Sequence, residues 1–242
     1  RTRTPRDENS EFDFECLEAL DVEYLNEQLL QLFAGEEVEL PAFDFKTGER
    51  RASGKRLRLG ERTILIMEGI HGLNDRLTPR IPRDQKFKIY VSALTQINLD
   101  EHNRISTTDN RLIRRMVRDN QFRGRSARDT IRMWPSVQRG ERLHIFPFQN
   151  GADAALNSAL DYELGVLKVY AEPLLRSVKP MDPEYCEAKR LLNFLAFFAP
   201  IPAQYVPQDS LVREPFHYQS MGFQALRRMA REAGLDRATA PV

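Results

Sequence analysis

The feature that most constrains the fold is the stretch at residues 63–73, TILIMEGIHGL, where an apolar run leads directly into polar residues. Four apolar residues at 64–67 show no polar alternation before Glu68. Such a run predicts a strand covered on both faces, as in the parallel sheet of an α/β domain. Ligands of these sheets gather at the carboxyl ends of the strands. We therefore expect Glu68 either at a binding site or as a strand-end acid that only faces water.

Hydrophobic periodicity places other elements around this strand. The predicted order is a helix over 14–33, a hairpin with strands over 38–45 and 55–59, a strand over 86–93, a helix from 98 onward, and helices over 162–178, 183–198 and 222–233. Residues 154–160 suit either a strand or the start of a helix. Pro135 is expected to end helical structure and begin a loop. The fold class predicted is α/β.

An arginine-rich segment stands out against a net charge of only +1. Residues 104–142 contain 11 arginines and four acids. On a helix, one face carries Arg111, Arg115 and Arg118, and Arg123 follows as the helix ends near Gly124. Crowded guanidinium groups suit phosphate oxygens, which predicts a polyphosphate ligand. The alternative is a solvated face paired with local acids such as Asp109 and Asp119.

Several acids and aromatics are further candidates for a site. Asp13 lies between two phenylalanines and could act as a base for a hydroxyl, or it could cap the first helix. Phe43 and Phe45 bracket an acid in the predicted hairpin, where they either pack in the core or border a ligand. His71 could accept a proton or bind substrate near Glu68, or it could be a structural histidine.

Composition and spacing exclude other classes of protein. The two cysteines, Cys16 and Cys186, have neither disulfide-framework nor zinc-ligand spacing, which is typical of a reducing cytosol, and no apolar run suggests a membrane span or a signal peptide. A cytoplasmic location is expected. The segment GERRASGK at 48–55 is not a P-loop, since five residues separate its glycines where the motif has four.

Five segments in order resemble a known family: FDFE, LPAFDFKTGERR, ILIMEGIHGL, KIYVSALTQ and RRMVRDNQFRG. Together they are similar to the uridine kinase and phosphoribulokinase family of P-loop kinases, especially bacterial uridine kinase-like nucleoside kinases. The likeness covers about residues 4–178. It implies a P-loop-kinase-like parallel sheet flanked by helices, a β-hairpin substrate region and an arginine-rich helical lid. Residues 1–178 would form the kinase domain, and 179–242 a C-terminal helix, a proline-containing arm and a short terminal helix.

The resemblance also implies roles for individual residues in the transfer of phosphate from ATP, with Mg²⁺, to a nucleoside 5′-hydroxyl. They are Asp13 as catalytic base, Phe43 and Phe45 beside the nucleoside, Glu68 near the magnesium, and Arg115, Arg118 and Arg123 as lid arginines at the transferred phosphates. Nucleosides and nucleotides are the implied partners. Met133 and Gly48 stand where animal uridine kinases carry a polar substrate contact and a histidine, so the acceptor base is left open.

One departure concerns the start of the sequence. In the family, a glycine-rich P-loop on the first strand precedes the part that here opens with RTRTPRDEN. We therefore expect a fragment that lacks the first strand and P-loop, and that either pairs with another copy at the uncovered sheet edge or is poorly stable. A catalytically inactive module that binds phosphorylated ligands or another protein is the alternative. RNA binding is less favoured, because aromatics for base stacking are scarce among the arginines.

Overall fold

The chain has a mixed α/β fold in a computed structural model that describes residues 5, 13, 16–44, 49–60, 62–207 and 210–212. The described residues contain five α-helices and four β-strands. They divide into two units. The first unit holds the described residues up to 89 together with 140–154, and the second holds 90–139 and the described residues from 155 onward.

The first unit is built on one helix and one hairpin. Helix α1, Val22–Phe33, begins where the Asp21 carboxylate accepts a hydrogen bond from the Tyr24 amide at 3.2 Å. Strands β1, Val38–Asp44, and β2, Glu49–Leu57, pair antiparallel. The predicted hairpin is confirmed, and the helix predicted from residue 14 is confirmed from residue 22, after a 3₁₀ turn.

Contacts between the hairpin and α1 hold this unit together. The Arg50 guanidinium donates to Asp21 at 2.8 Å and lies 3.8 Å from the centroid of the Tyr24 ring, a cation–π contact. The buried Asn26 amide of α1 donates to the Leu77 carbonyl at 3.0 Å. Polar contacts therefore connect α1 both to the hairpin and to the turns that follow it.

Residues 63–68 form no strand, so the buried strand predicted there is wrong. Ile64 is 50% exposed and Met67 is 40% exposed. An apolar run shows that a segment favours burial, but a strand also needs a neighbouring backbone to exchange hydrogen bonds with it. No strand in the described part of the chain pairs with residues 63–68.

Two short strands form a parallel pair. Strand β3, Ile89–Ser92, lies beside β4, Ala154–Asn157. The Asp153 amide donates to the Lys88 carbonyl and the Ser158 amide donates to the Ser92 carbonyl, both at 2.8 Å. Because both residue numbers rise together along the ladder, the strands run in the same direction. Residues 154–157 thus take the strand alternative, and the parallel sheet expected of the fold class is present.

The second unit is helical around one apolar core. Its helices are α2, Thr107–Arg123; α3, Ala127–His144, whose last turn falls in the first unit; α4, Glu163–Arg176; and α5, Tyr185–Ala196. Buried leucines from three of them meet in the core, namely Leu112, Leu167 and Leu191. Helix α2 begins at residue 107 instead of 98, and Gly124, with φ of 61°, ends it as predicted.

Helix α3 continues through Pro135, so the predicted break is wrong. A proline inside a helix removes one backbone hydrogen bond and crowds the preceding turn. Ile131 and Trp134 of the same helix are buried in the core of the second unit, and this packing favours helical continuation.

No helix in the described ranges is long and apolar enough to cross a membrane. The helix predicted over 222–233 lies outside the described residues.

Candidate active site

Three arginines of α2 surround one buried carboxylate. The Asp119 side chain is 0% exposed, and it receives Arg115 Nε at 3.2 Å and Arg123 Nη1 at 2.9 Å. Arg118 Nε lies 4.0 Å from the same carboxylate. The set Arg115, Arg118 and Arg123 is called the arginine cluster below. The sequence-predicted lid arginines are therefore brought together, and Asp119, expected as a local partner, joins them.

The arginine cluster keeps guanidinium groups accessible beside its carboxylate. All three guanidinium groups lie within 4.0 Å of Asp119. Arg118 and Arg123 keep 41% and 48% of their side chains exposed. Guanidinium groups that remain accessible while a buried acid orients them are suited to bind phosphate oxygens in two-pronged contacts.

A buried ion pair in the middle of α2 fixes this helix in the second unit. Arg114 forms a salt bridge with Glu163 at the start of α4, with its Nε 2.7 Å from the carboxylate. Arg114 Nη2 also donates to the Ser158 carbonyl at 2.6 Å, and Asn110 donates to Glu163 at 2.6 Å. Sequence reasoning did not separate Arg114 from the other arginines. Its position on the buried stripe 110, 113, 114 and 117 could have identified it.

Asp13, the predicted base, belongs to the first unit. Its amide donates to the Pro5 carbonyl at 2.8 Å, and its carbonyl accepts the Cys16 thiol at 3.3 Å. Burial raises the pKa of that thiol. Asp21 caps α1, so the capping alternative for Asp13 is wrong. The role of Asp13 as a base stays a prediction.

The candidates predicted near the magnesium and the nucleoside also lie in the first unit. Glu68 is exposed at the end of the irregular segment 63–68. Phe43 lies in β1, in register with Arg50 of β2. The side chain of Phe43 and the whole of Phe45 lie outside the described residues, so their predicted place beside a nucleoside is a prediction still.

His71 is a buried residue, 4% exposed. Its ring packs edge-to-face on the ring of His144, with the two centroids 5.2 Å apart. The His71 carbonyl accepts the Asn74 amide at 2.9 Å, within the turn that precedes the 3₁₀ helix Asp75–Leu77. This packing favours the structural alternative for His71, while its predicted role in substrate binding is untested.

Lys88 holds the turn after His71 against the start of β3. Its ammonium group donates to the Leu73 carbonyl at 3.0 Å and to Asp75 at 2.6 Å. The hydrogen bond from Lys88 keeps the pKa of Asp75 below its usual range. Glu68 and His71 are thus followed by a turn that a buried cation fastens to the sheet.

The described residues contain no group of three or more His, Cys, Asp or Glu side chains that could hold a metal ion. A magnesium ion that arrives with a nucleotide needs only one or two protein carboxylates, since phosphate oxygens and water complete its shell. Glu68, as one exposed carboxylate, fits that requirement.

A parallel strand pair and an arginine cluster suited to oxyanions are features of phosphate-handling α/β proteins. The family model for the Phosphoribulokinase / Uridine kinase family matches residues 2–163, more than half of the 242 residues. The chain belongs to this family. Both α2 and its buried anchor Glu163 lie inside the matched range.

Individual relatives agree with this assignment. The chain is 32% identical over 121 residues to the uridine kinase of Bacillus pumilus. This alignment covers 50% of this chain and 49% of that protein. Over 150 residues it is 30% identical to the uridine kinase of Clostridium botulinum and 29% identical to that of Chloroflexus aurantiacus. These alignments cover 62% of this chain and 64% and 63% of those proteins. The chain thus spans about half to two thirds of the length of these relatives.

Proposed function

We propose that the protein is a nucleoside kinase that transfers the γ-phosphoryl group of MgATP to the 5′-hydroxyl of a nucleoside. The arginine cluster is the observation that carries this proposal, because it presents accessible guanidinium groups around one buried acid on a helix matched by the family model. The relatives named uridine kinase support the same class of substrate. The identity of the base is not part of the proposal.

The proposed roles follow from the chemistry of phosphoryl transfer. The transferred group spreads negative charge over its oxygens, and positioned cations stabilise this charge. The arginine cluster supplies those cations, and Glu68 lies on the magnesium side of MgATP. Asp13 accepts the proton of the 5′-hydroxyl, and Phe43 and Phe45 border the nucleoside.

Turnover by the full gene product tests this function. The protein is incubated with MgATP and each of the common ribonucleosides, and nucleoside 5′-monophosphate and ADP are measured together. Equal amounts of both products are expected with at least one nucleoside. ATP binding without monophosphate formation would contradict the proposal and support the inactive phospholigand-binding module.

The assignment of the arginine cluster has its own test. Arg118→Gln removes one positive charge from the cluster and is expected to lower kcat by about 10²-fold or more, since its stabilisation is needed mainly in the transition state. Arg176→Gln is the matched control, because Arg176 pairs with Glu172 on the exposed surface of α4 in the same unit. Similar kcat values for the two variants would contradict the assigned role.

A further inference from the structure

Helix α5 contacts the first turn of the helix that carries the arginine cluster. The family match ends at residue 163, whereas α5 spans Tyr185–Ala196. From α5, Arg190 reaches Asp109 in the first turn of α2. A segment beyond the matched range therefore touches the helix on which the proposed phosphate contacts depend.

The contact between Arg190 and Asp109 has the geometry of a strong ion pair. Arg190 Nη1 donates to Asp109 Oδ2 at 2.8 Å, and Nη2 donates to Oδ1 at 2.7 Å. Two parallel bonds between a guanidinium and a carboxylate restrict orientation as well as distance. The Asp109 side chain is only 12% exposed, so solvent screens this pair less than a surface pair.

Arg190 has a second acidic partner on its own helix. Glu187, one turn earlier on α5, accepts from Arg190 Nε at 2.8 Å and from Nη2 at 2.6 Å. Hydrogen bonds to Glu187 and Asp109 raise the pKa of Arg190 above its ordinary value. Glu187 lies on the same helix as Arg190, so of these two acids it is Asp109 that connects α5 to α2.

Apolar packing also connects α5 with α2. Leu191 and Leu195 of α5 are buried in the cluster that contains Ile113 and Met116 of α2. Asp109 precedes Arg115 by six residues, which is about 9 Å along a helix. Because α2 is also anchored to Glu163 through Asn110 and Arg114, its first half is fixed from two sides. A rigid helix fixed in this way defines where its later turns present their side chains.

We propose that Arg190 is a positioning residue for the arginine cluster. By holding Asp109, it sets the orientation of α2 and so the placement of Arg115, Arg118 and Arg123 against phosphate oxygens. This inference rests on the proposed kinase function, and it extends the machinery of that function to a helix outside the family match.

Kinetics of three single variants and one double variant test the inference in the full gene product. Arg190→Ala and Asp109→Ala each remove the connection, and each is expected to lower kcat about tenfold with nucleoside KM changed less than about twofold. The double variant should lose no more than either single variant, because both act through one bond. Glu187→Gln leaves the bond to Asp109 and should keep kcat within about twofold of the native value.

A conservative variant and an anion-binding measurement separate positioning from stability. Arg190→Lys keeps the charge without the two-pronged geometry and should recover only part of kcat. Affinity for inorganic pyrophosphate, measured by calorimetry at fixed ionic strength, should fall about fivefold to tenfold in Arg190→Ala and stay unchanged in Glu187→Gln. A lower melting temperature with native kcat and native pyrophosphate affinity would overturn the inference.

The same measurements keep the two proposals distinguishable. If the native protein forms no nucleoside monophosphate, the kinase proposal fails, while pyrophosphate affinity still reports on the arginine cluster. Loss of that affinity in Arg190→Ala would then support positioning of an anion site by α5. Equal pyrophosphate affinity in the native protein, Arg190→Ala and Glu187→Gln would overturn the positioning role whatever the turnover result.

Discussion

The two units contain different candidate residues and are stabilised differently. The second unit contains a continuous cluster of buried apolar side chains, and the arginine cluster lies on α2, which contributes to that core. The first unit contains Asp13, Glu68 and His71, and its segment 63–70 exposes Ile64, Met67 and Ile70. The comparison indicates that the arginine cluster is preorganised, whereas the segment ending at Glu68 lacks comparable packing.

The buried ion pair of the second unit should show the largest effect. Arg114→Met leaves the Glu163 carboxylate, 2% exposed, without its charge partner and is expected to lower the free energy of unfolding by about 3–5 kcal/mol. Chemical denaturation measures the change. Arg176→Gln, which breaks an exposed pair, should cost less than about 0.5 kcal/mol. Equal losses in the two variants would mean that the Arg114 pair is not buried in solution.

A glycine from each unit sharpens the comparison of packing. A Cβ atom on Gly165 would lie 2.7 Å from the Ala199 carbonyl oxygen and 2.9 Å from Ile201 Cδ1. Gly165→Ala should therefore destabilise the protein by about 1–3 kcal/mol. Gly151→Ala, in the first unit, meets no atom within 4 Å and should change stability by less than about 0.5 kcal/mol. A neutral Gly165→Ala would show that the second unit is looser than described.

Asn26 tests whether polar contacts hold the first unit. Its amide donates to the Val22 carbonyl at 2.7 Å and to the Leu77 carbonyl at 3.0 Å. Asn26→Ala leaves the Leu77 acceptor buried without this donor and should cost about 1–3 kcal/mol in thermal or chemical unfolding. Gln31→Ala, at an exposed position of α1, is the control and should be close to neutral. Equal melting of both variants would contradict this view of the first unit.

Acidification should have the smallest effect on the stability of each unit. The hydrogen bond from Lys88 lowers the pKa of Asp75 from 3.8, and the hydrogen bond from Arg132 lowers the pKa of Glu184 from 4.5. A carboxyl whose folded pKa is lowered contributes stability that is complete above its unfolded pKa and is lost as pH falls through the folded value. Stability should thus decline below about pH 4.5. Asp75→Asn and Glu184→Gln should each reduce that decline in a pH series of melting temperatures, and an unchanged decline in both would contradict these assignments.

Hydrophobic periodicity predicted the local helices and the hairpin well, but it did not predict which segments pack together in the folded protein. The hairpin, α4 and α5 follow patterns that are local in the sequence, and so does the end of α2 at Gly124. The strand expected over 63–68 depended on a neighbouring strand, which local sequence cannot supply. Pro135 predicted a break because the burial of Trp134, which favours continuation of α3, is a tertiary effect.

The candidate site was predicted in the same uneven way. Spacing on a helix was enough to group Arg115 and Arg118, because side chains three and four apart share a face. Asp119 joins all three arginines because its side chain is buried among them. The sequence did not show this burial. Arg114 differs from the other arginines because it pairs with Glu163, which is 49 residues away in the sequence. The contact of Asp109 with Arg190 spans 81 residues.

Amide hydrogen exchange of the ligand-free protein tests preorganisation of the arginine cluster most directly. Amides that exchange only through global unfolding report the full stability of the protein, and amides that open locally exchange faster. The amides of residues 112–119 are expected to show the protection of global unfolding, and those of residues 63–70 should exchange at least about 10²-fold faster. Exchange at residues 112–119 as fast as at 63–70 would contradict the claim that these arginines are held in place before any ligand binds.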